Sequence, residues 1–242
     1  MQKALTKEKQ VKTIGSFKLP LVNWFLFVPS VAISSVQLSK IDPLYRRRLS
    51  SLSKMAIVAA SSCLNEKLPR LHTVFASRHG EIGSTVKMLH DLSSQTQLSP
   101  AAFSLSVHST AAGFLSIARS DHSSFTTVSA GTETLFAAFQ EAAGQLAKNP
   151  SLSLLVICAD EVLPEELSKF GDSTDKDHAL ALYFNAAAMQ KELVIESDAF
   201  IGERSRSQPA IAFADFLVSG ERVFHWNGMR TSWKIKLNEK SH

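Results

Sequence analysis

The junction Val128-Ser129-Ala130-Gly131-Thr132-Glu133 is where this sequence could most readily arrange a reaction. A short β-prone run, Phe125 to Val128, leads there directly into a helical pattern. Free backbone N–H groups and the helix dipole stabilise negative charge at such a start, which favours a nucleophile. The junction offers hydroxyls, Ser129 and Thr132, and no thiol; either would need a base, and both also read as turn and capping residues. Glu133 falls where the dipole favours an anion. His79, in a Ser-Arg-His-Gly turn, and His108, between two Ser-rich runs, are the candidate bases, and each reads equally as a structural hydrogen-bonding histidine. Asp160 closes an apolar run and either orients a neighbour or caps the next turn.

Other chemistries lack their signatures. There is no GxGxxG, no GxxxxGK[ST] and no GxSxG. The two cysteines, Cys63 and Cys158, lie far apart in apolar surroundings and read as buried free thiols in a reducing compartment. No metal-ligand cluster forms around them, and no cofactor or metal is expected. The 242 residues are 45% apolar and 20% charged with mean hydropathy +0.02, which excludes a disordered chain and a disulfide-stapled module.

The net charge of +4 is unevenly spread, with a basic tail over about residues 1–15, the run Arg46-Arg47-Arg48, and further cations near the C-terminus. Such a surface suits an acidic partner. Nucleic acid is not expected, because no helix-turn-helix, finger or aromatic-paired basic motif accompanies the charge. The most apolar segment, Leu19 to Val36, contains Asn23 and two prolines, so it reads as one or two buried strands broken at Pro29 and not as a membrane span. A cytoplasmic location is the expectation.

These residues need a frame of strands and helices. Leu49 to Leu64 carries a small-residue apolar stripe and a Ser-rich start, a capped helix. Leu71 to Ala76 reads as a strand, and Glu81 to Leu92 as a helix with Ile82, Val86, Leu89 and Leu92 on one side. Phe103 to Arg119 reads as a short strand or turn followed by a helical piece. A clear helix follows Gly131, with Leu135, Phe136, Phe139, Ala142 and Leu146 on its apolar face and Asn149-Pro150 as its stop. Ser151 to Asp160 is a strand covered on both faces. Ala179 to Met189 is a further strand, Ala210 to Val218 is strand or helix, and the Trp226–Leu237 tail is a last strand. The alternation predicts an α/β fold with a helix-covered mixed sheet, in one domain spanning 1–242.

Five stretches carry a family resemblance: IDPLYRRRLSSLSKMAI (41–57), VFASRHGEI (74–82), LSPAAFSLSVHSTAAGFLSIA (98–118), TVSAGTE (127–133) and LLVICADEVLPE (154–165). Together they resemble the N-terminal domain of β-ketoacyl synthases, and more narrowly the short chain-length-factor-like proteins of aryl polyene pigment clusters. The resemblance runs from about Trp24 to Val218. It implies a thiolase-like fold, of which this chain supplies a single half-type domain. In a complete synthase the first half brings a nucleophilic cysteine at a helix start and the second brings two histidines and a lysine. An ungapped comparison puts Thr132 at the cysteine position, with Ser129 or Gly131 near it after a small shift. The histidines and lysine have no counterpart, and the chain is expected to end near where a second half would begin.

The resemblance therefore implies a non-catalytic subunit. Its partners would be a full-length β-ketoacyl-ACP synthase, as heterodimer or higher assembly, and an acyl carrier protein. The pair would extend a carrier-bound chain, and this subunit would shape the acyl tunnel. Phe103, His108, Phe114, Leu135, Phe136 and Phe139 are the candidates to line the tunnel or the subunit interface, and Arg46, Arg47 and Arg48 the candidates to receive the carrier protein. Two other readings stand beside it: an acyltransferase or hydrolase using Ser129 or Thr132 with His108, and a structural or regulatory homodimer.

Overall fold

The computed structural model of the chain describes residues 13–29, 38, 41–64, 68, 70–172, 174–200 and 203–239. Most of the predicted basic tail, and the possible second strand after Pro29, lie outside the described residues.

The apolar segment near the N-terminus forms one long strand, β1 (Thr13–Phe27). A short helix, α1 (Pro43–Arg46), precedes α2 (Ser51–Cys63). Ser50 caps α2 by accepting a hydrogen bond from the Ser53 N–H at 2.9 Å. The small residues Ala56, Ala59 and Ala60 let α2 sit close, with the sheet on one side and a later helix on the other. The chain continues through β2 (His72–Ala76), α3 (Ile82–Ser93), α4 (Pro100–Ser104), α5 (Thr110–Arg119) and β3 (Phe125–Val128). Next come α6 (Thr134–Lys148), β4 (Leu154–Asp160), β5 (His178–Phe184) and β6 (Lys191–Ala199). The last elements are α7 (Pro209–Ser219), β7 (Val223–Asn227) and β8 (Thr231–Glu239).

The eight strands among the described residues join one mixed sheet in the order β3-β2-β4-β5-β1-β6-β8-β7. β2 runs parallel to β3 and β4, and the remaining pairings are antiparallel. Fifteen residues let β1 serve two neighbours: its first half pairs with β6, its second with β5, and Leu21 is the crossover. α2 and α5 pack on one face, α6 and α7 on the other. α6 touches β2 and β4 near one end of the strand order, yet Phe136 stacks on Trp233 of β8 at 4.8 Å and lies 5.1 Å from Trp226 of β7. One helix reaches both only because the twisted sheet curls around it.

Some expectations are resolved and others corrected. The segment before α5, read as a short strand or turn, is a short helix and a turn. Ala210–Val218 resolves as helix α7, and the tail makes two strands where one was expected. β6 has no counterpart among the predicted elements. On α3, Leu89 and Leu92 are 59% and 51% exposed, so the predicted inward face of that helix points outward in part.

Candidate functional site

β2, β3 and β4 run parallel, so their C-terminal ends lie together, the edge at which α/β sheets place ligands. The chain leaves β3 at Val128, makes a 3-10 turn over Gly131–Glu133 and enters α6. Gly131 has φ +57°, the left-handed region that favours glycine. A cavity of about 320 Å³ opens here, lined by Arg78, His79, Thr132, Asp160, His178 and Gln208 among others.

Asp160 holds the floor. Its Oδ1 accepts from Ser77 Oγ at 2.7 Å, Arg78 N at 2.8 Å and His79 N at 3.1 Å, and Ser77 Oγ in turn accepts from Gly80 N. The β2–α3 turn is thus tied to the end of β4, and Arg78 and His79 are brought to the cavity. Burial pushes the His79 imidazole below its usual value, against the pull of Asp160, so it is neutral near pH 7. His178, opposite Asp160 across the β4–β5 pair, was not singled out by the sequence; its Nδ1 lies 3.0 Å from the Lys176 carbonyl. Its signal was only its place at the start of an apolar strand after a polar loop.

The junction residues take different parts. Thr132 is half-buried and faces the cavity. Ser129 is exposed and its Oγ donates to the Arg78 carbonyl at 3.2 Å. Neither caps the helix, whose N-cap position is Glu133 with no side-chain capping bond; Thr134 Oγ1 instead braces the preceding turn, accepting from Ala130 N and donating to the Gly131 carbonyl. Glu133 fastens the helix start to the β7–β8 hairpin, accepting from Met229 N at 2.9 Å, Arg230 N at 3.2 Å and Trp233 Nε1 at 3.3 Å. His108 turns elsewhere: its Nε2 donates to the Ser77 carbonyl at 2.9 Å and its ring stands edge-on to Phe75. It makes no hydrogen bond to Ser129 or Thr132, so the serine-or-threonine pair with His108 is not assembled.

Leu135 reaches the cavity wall, while Phe136 and Phe139 are fully buried in the core behind it. Phe114 is 7% exposed in the second core cluster, and Phe103 is 62% exposed. Arg46 donates from Nη2 to the Ile41 carbonyl at 2.8 Å, whereas Arg47 and Arg48 are exposed. Both cysteines are free. Burial pushes the Cys63 thiol up to about 12 and Cys158 well above its usual value, so both stay protonated. Among the described residues no group of His, Cys, Asp and Glu is placed to hold a metal, and no helix is long and apolar enough to cross a membrane.

The chain matches the family described as "Beta-ketoacyl synthase, N-terminal domain" over residues 28–235. It belongs to that family. Its sequence has no match among curated proteins. Among solved structures, this ketosynthase-family chain is similar to one in the complex of the ketosynthase ApeO with its chain length factor ApeC from Xenorhabdus doucetiae. The TM-score is 0.76 at 22% identity, over 90% of this chain and 99% of that one. The ishigamide ketosynthase/chain length factor is similar at TM-score 0.61 and 14% identity, over 76% of this chain and 68% of that one. A third, AntDE:AntF, a type II PKS acyl-carrier protein in complex with its ketosynthase bound to the hexaketide, gives TM-score 0.55 at 13% identity, over 77% and 70%. The fold is thiolase-like, with a mixed sheet between helices.

Glu161, on the wall of the same cavity, gives the site a pH signature. Burial, then the nearby Glu81 and Asp177, push its carboxyl up to about 7, against hydrogen bonds from Ser51 and Leu52. Unfolded, it would titrate near its usual 4.5. Between those values the folded chain keeps a proton that the unfolded chain has released, so this group's contribution to stability falls as pH rises through the window. Glu161→Gln is expected to match the wild type below about pH 4.5 and exceed it above pH 7. With water reaching part of the side chain, the gain is about 2 kcal/mol, or roughly 4–8 °C in Tm. Thermal melts of both proteins from pH 4 to 8 check this; parallel curves would refute it. Glu81 shifts upward as well and His79 downward, so the difference between the two proteins, and not either curve alone, is the readout.

Proposed function

We propose that this chain is a non-catalytic, chain-length-factor-like subunit that pairs with a complete β-ketoacyl synthase. The observation that carries the reading is Thr132 at the helix start facing the cavity, with both thiols of the chain buried and protonated. Condensation on a carrier-bound chain needs a thiolate to take the acyl group, and an unactivated alcohol is a far poorer nucleophile. The chain has a cavity at this junction and no thiolate to react in it.

The surface supports a partner. The elements α3, α4, α5 and β3, with the turn between α4 and α5, expose Leu89, Leu92, Phe103, Val107, Ile117 and Phe125, and β3 is an edge strand with one side unpaired. Apolar side chains gathered beside an open edge mark a protein interface. Within the pair, the partner's active site performs the condensation, this chain limits the length of the acyl tunnel, and Arg47 and Arg48 receive the acidic carrier protein. Phe103 sits at the interface in this arrangement, and Leu135 is the tunnel candidate that reaches the cavity.

The test is co-expression with the ketosynthase of the same gene cluster, followed by an assay of product length. The pair is expected to co-purify and to condense malonyl units, while the lone chain does not. Phe103→Asp is expected to abolish co-purification and leave Tm within about 1–2 °C, since surface substitutions away from packed features change stability little. Condensation by the lone protein, or retention of the partner by the variant, would sink the proposal.

A further inference from the structure

The cavity at the start of α6 is furnished with hydrogen-bonding groups that the chain itself leaves unused. No side chain caps α6. Among the described residues, the backbone N–H groups of Gly131 and Thr132 donate to no acceptor in the protein, and both residues line the cavity. The left-handed φ of Gly131, +57°, followed by the 3-10 turn sets successive N–H groups side by side, an arrangement that receives an oxygen acceptor.

His178 supplies the opposite need. It is 3% exposed and lines the same cavity from the start of β5. Its Nδ1 lies 3.0 Å from the Lys176 carbonyl, an oxygen that can only accept, so Nδ1 carries the ring proton. The Gln208 amide nitrogen, 3.4 Å from Nδ1, gives its own hydrogen to that carbonyl at 3.0 Å. In this tautomer Nε2 is a bare acceptor. It has no hydrogen-bond partner among the described residues, and it is not sealed from solvent as the unpartnered Thr110 Oγ1 and Asp198 Oδ1 are. The surface His178 retains is cavity surface.

Charge in the cavity is balanced: Arg78, Arg204 and Arg206 stand with Asp160, Asp172 and Asp175. Such a balance favours a neutral ligand over an ion. Leu135 and Trp226 give an apolar wall, and the volume of about 320 Å³ suits a small molecule. We infer that the cavity binds a small, neutral carboxamide with an apolar body. The amide carbonyl accepts from the Gly131 and Thr132 N–H groups, the amide N–H donates to His178 Nε2, and the body lies against Leu135 and Trp226. A buried acceptor left without a donor is costly, so His178 selects ligands that bring one. The site needs no partner subunit, so it stands apart from the pairing proposed above.

Three probes of one shape test it, titrated calorimetrically into the full chain near neutral pH, with the emission of Trp226 as a second signal. Phenylacetamide carries donor and acceptor, phenylacetone has a methyl group in place of the amide nitrogen, and phenylacetate has a charged oxygen there. One saturable site per chain is expected for the amide, with the ketone and the carboxylate each about tenfold weaker or more, for want of a donor to Nε2. His178→Phe keeps a ring and removes Nε2. It is expected to lower the amide's affinity to about that of the ketone and to leave the ketone's unchanged. Should that variant fold poorly, the ranking of the three probes on the wild type still decides. No saturable binding of the amide, equal affinity for amide and ketone, tighter binding of the carboxylate, or wild-type selectivity in a folded His178→Phe would overturn the proposal.

Discussion

Phe136→Ala is expected to lower the melting temperature by roughly 10–15 °C. The ring is fully buried, stacked on Trp233 with centroids 4.8 Å apart and planes within 6°, and packed against Trp226 and Phe139. Truncating a buried phenylalanine costs about 3–5 kcal/mol, the lost transfer energy plus the cavity left behind. Position adds to size here. Phe136 is on α6, and its two tryptophan neighbours are on the strands at the far end of the sheet, so the ring is part of the seam that closes the curled sheet on the helix. The same variant is therefore expected to shift tryptophan emission to longer wavelength, as Trp226 and Trp233 meet water. Phe136→Leu, which keeps most of the volume, is expected to cost about 1–2 kcal/mol. A thermal scan with emission spectra checks both; an unchanged Tm in the alanine variant would contradict the packing. For product-length assays the leucine variant is the one to use, since the alanine variant confounds tunnel shape with stability.

Asp160→Ala is expected to cost about 3 kcal/mol and to release the turn that carries Arg78 and His79 into the cavity. One carboxylate oxygen accepts three hydrogen bonds, from Ser77 Oγ and from the Arg78 and His79 amides, all between 2.7 and 3.1 Å. Alanine leaves those donors unpaired at a site where Ser77 is fully buried. Hydrogen exchange at the Arg78 and His79 amides is expected to accelerate about 100-fold, the equivalent of roughly 3 kcal/mol in local opening. Asp160→Asn keeps an acceptor oxygen and is expected to cost only about 1 kcal/mol. If the alanine variant exchanged no faster than the asparagine variant, the carboxylate would not be what holds the turn.

Much of the frame was legible because it is written locally. Ser50 before an apolar helix, the continuous apolar run of β4 and the Asn149-Pro150 stop each announce an element within a few residues. β6 went unread: only Leu193, Ile195 and Ser197 are buried, and Val194 among the outward residues blurs the period of two. The site was less legible, because its contacts join residues far apart in sequence. Asp160 and Ser77 are 83 positions apart, and Glu133 and Met229 are 96. Local reading offered Asp160 two roles, orienting a neighbour or capping the next turn, whereas its Oδ1 holds a turn that follows another strand. It read Ser129 or Thr132 as the cap of α6, whereas no side chain caps that helix and Glu133 ties its start to the β7–β8 hairpin. Thr132 faces the cavity. Three of the stretches that carry the family resemblance, SRHGE, TVSAGTE and LLVICADE, meet at the cavity. The resemblance carried no information on His178, which lies outside all the matching stretches.

The double pairing of β1 has a consequence for how the chain is made. Its partners, β5 and β6, begin at His178 and Lys191. At roughly 5–20 residues per second, a ribosome needs on the order of 10–30 s to go from the end of β1 to the end of β5. For that interval the segment TIGSFKLPLVNWFLF has emerged with neither edge bonded, and it is among the most apolar and β-prone in the protein. Pairings of such long sequence separation also form slowly once the chain is complete. Newly made chains therefore depend on a holding factor, or on early burial of β1 against α2, to reach the native sheet before β1 finds the same strand on a neighbouring chain.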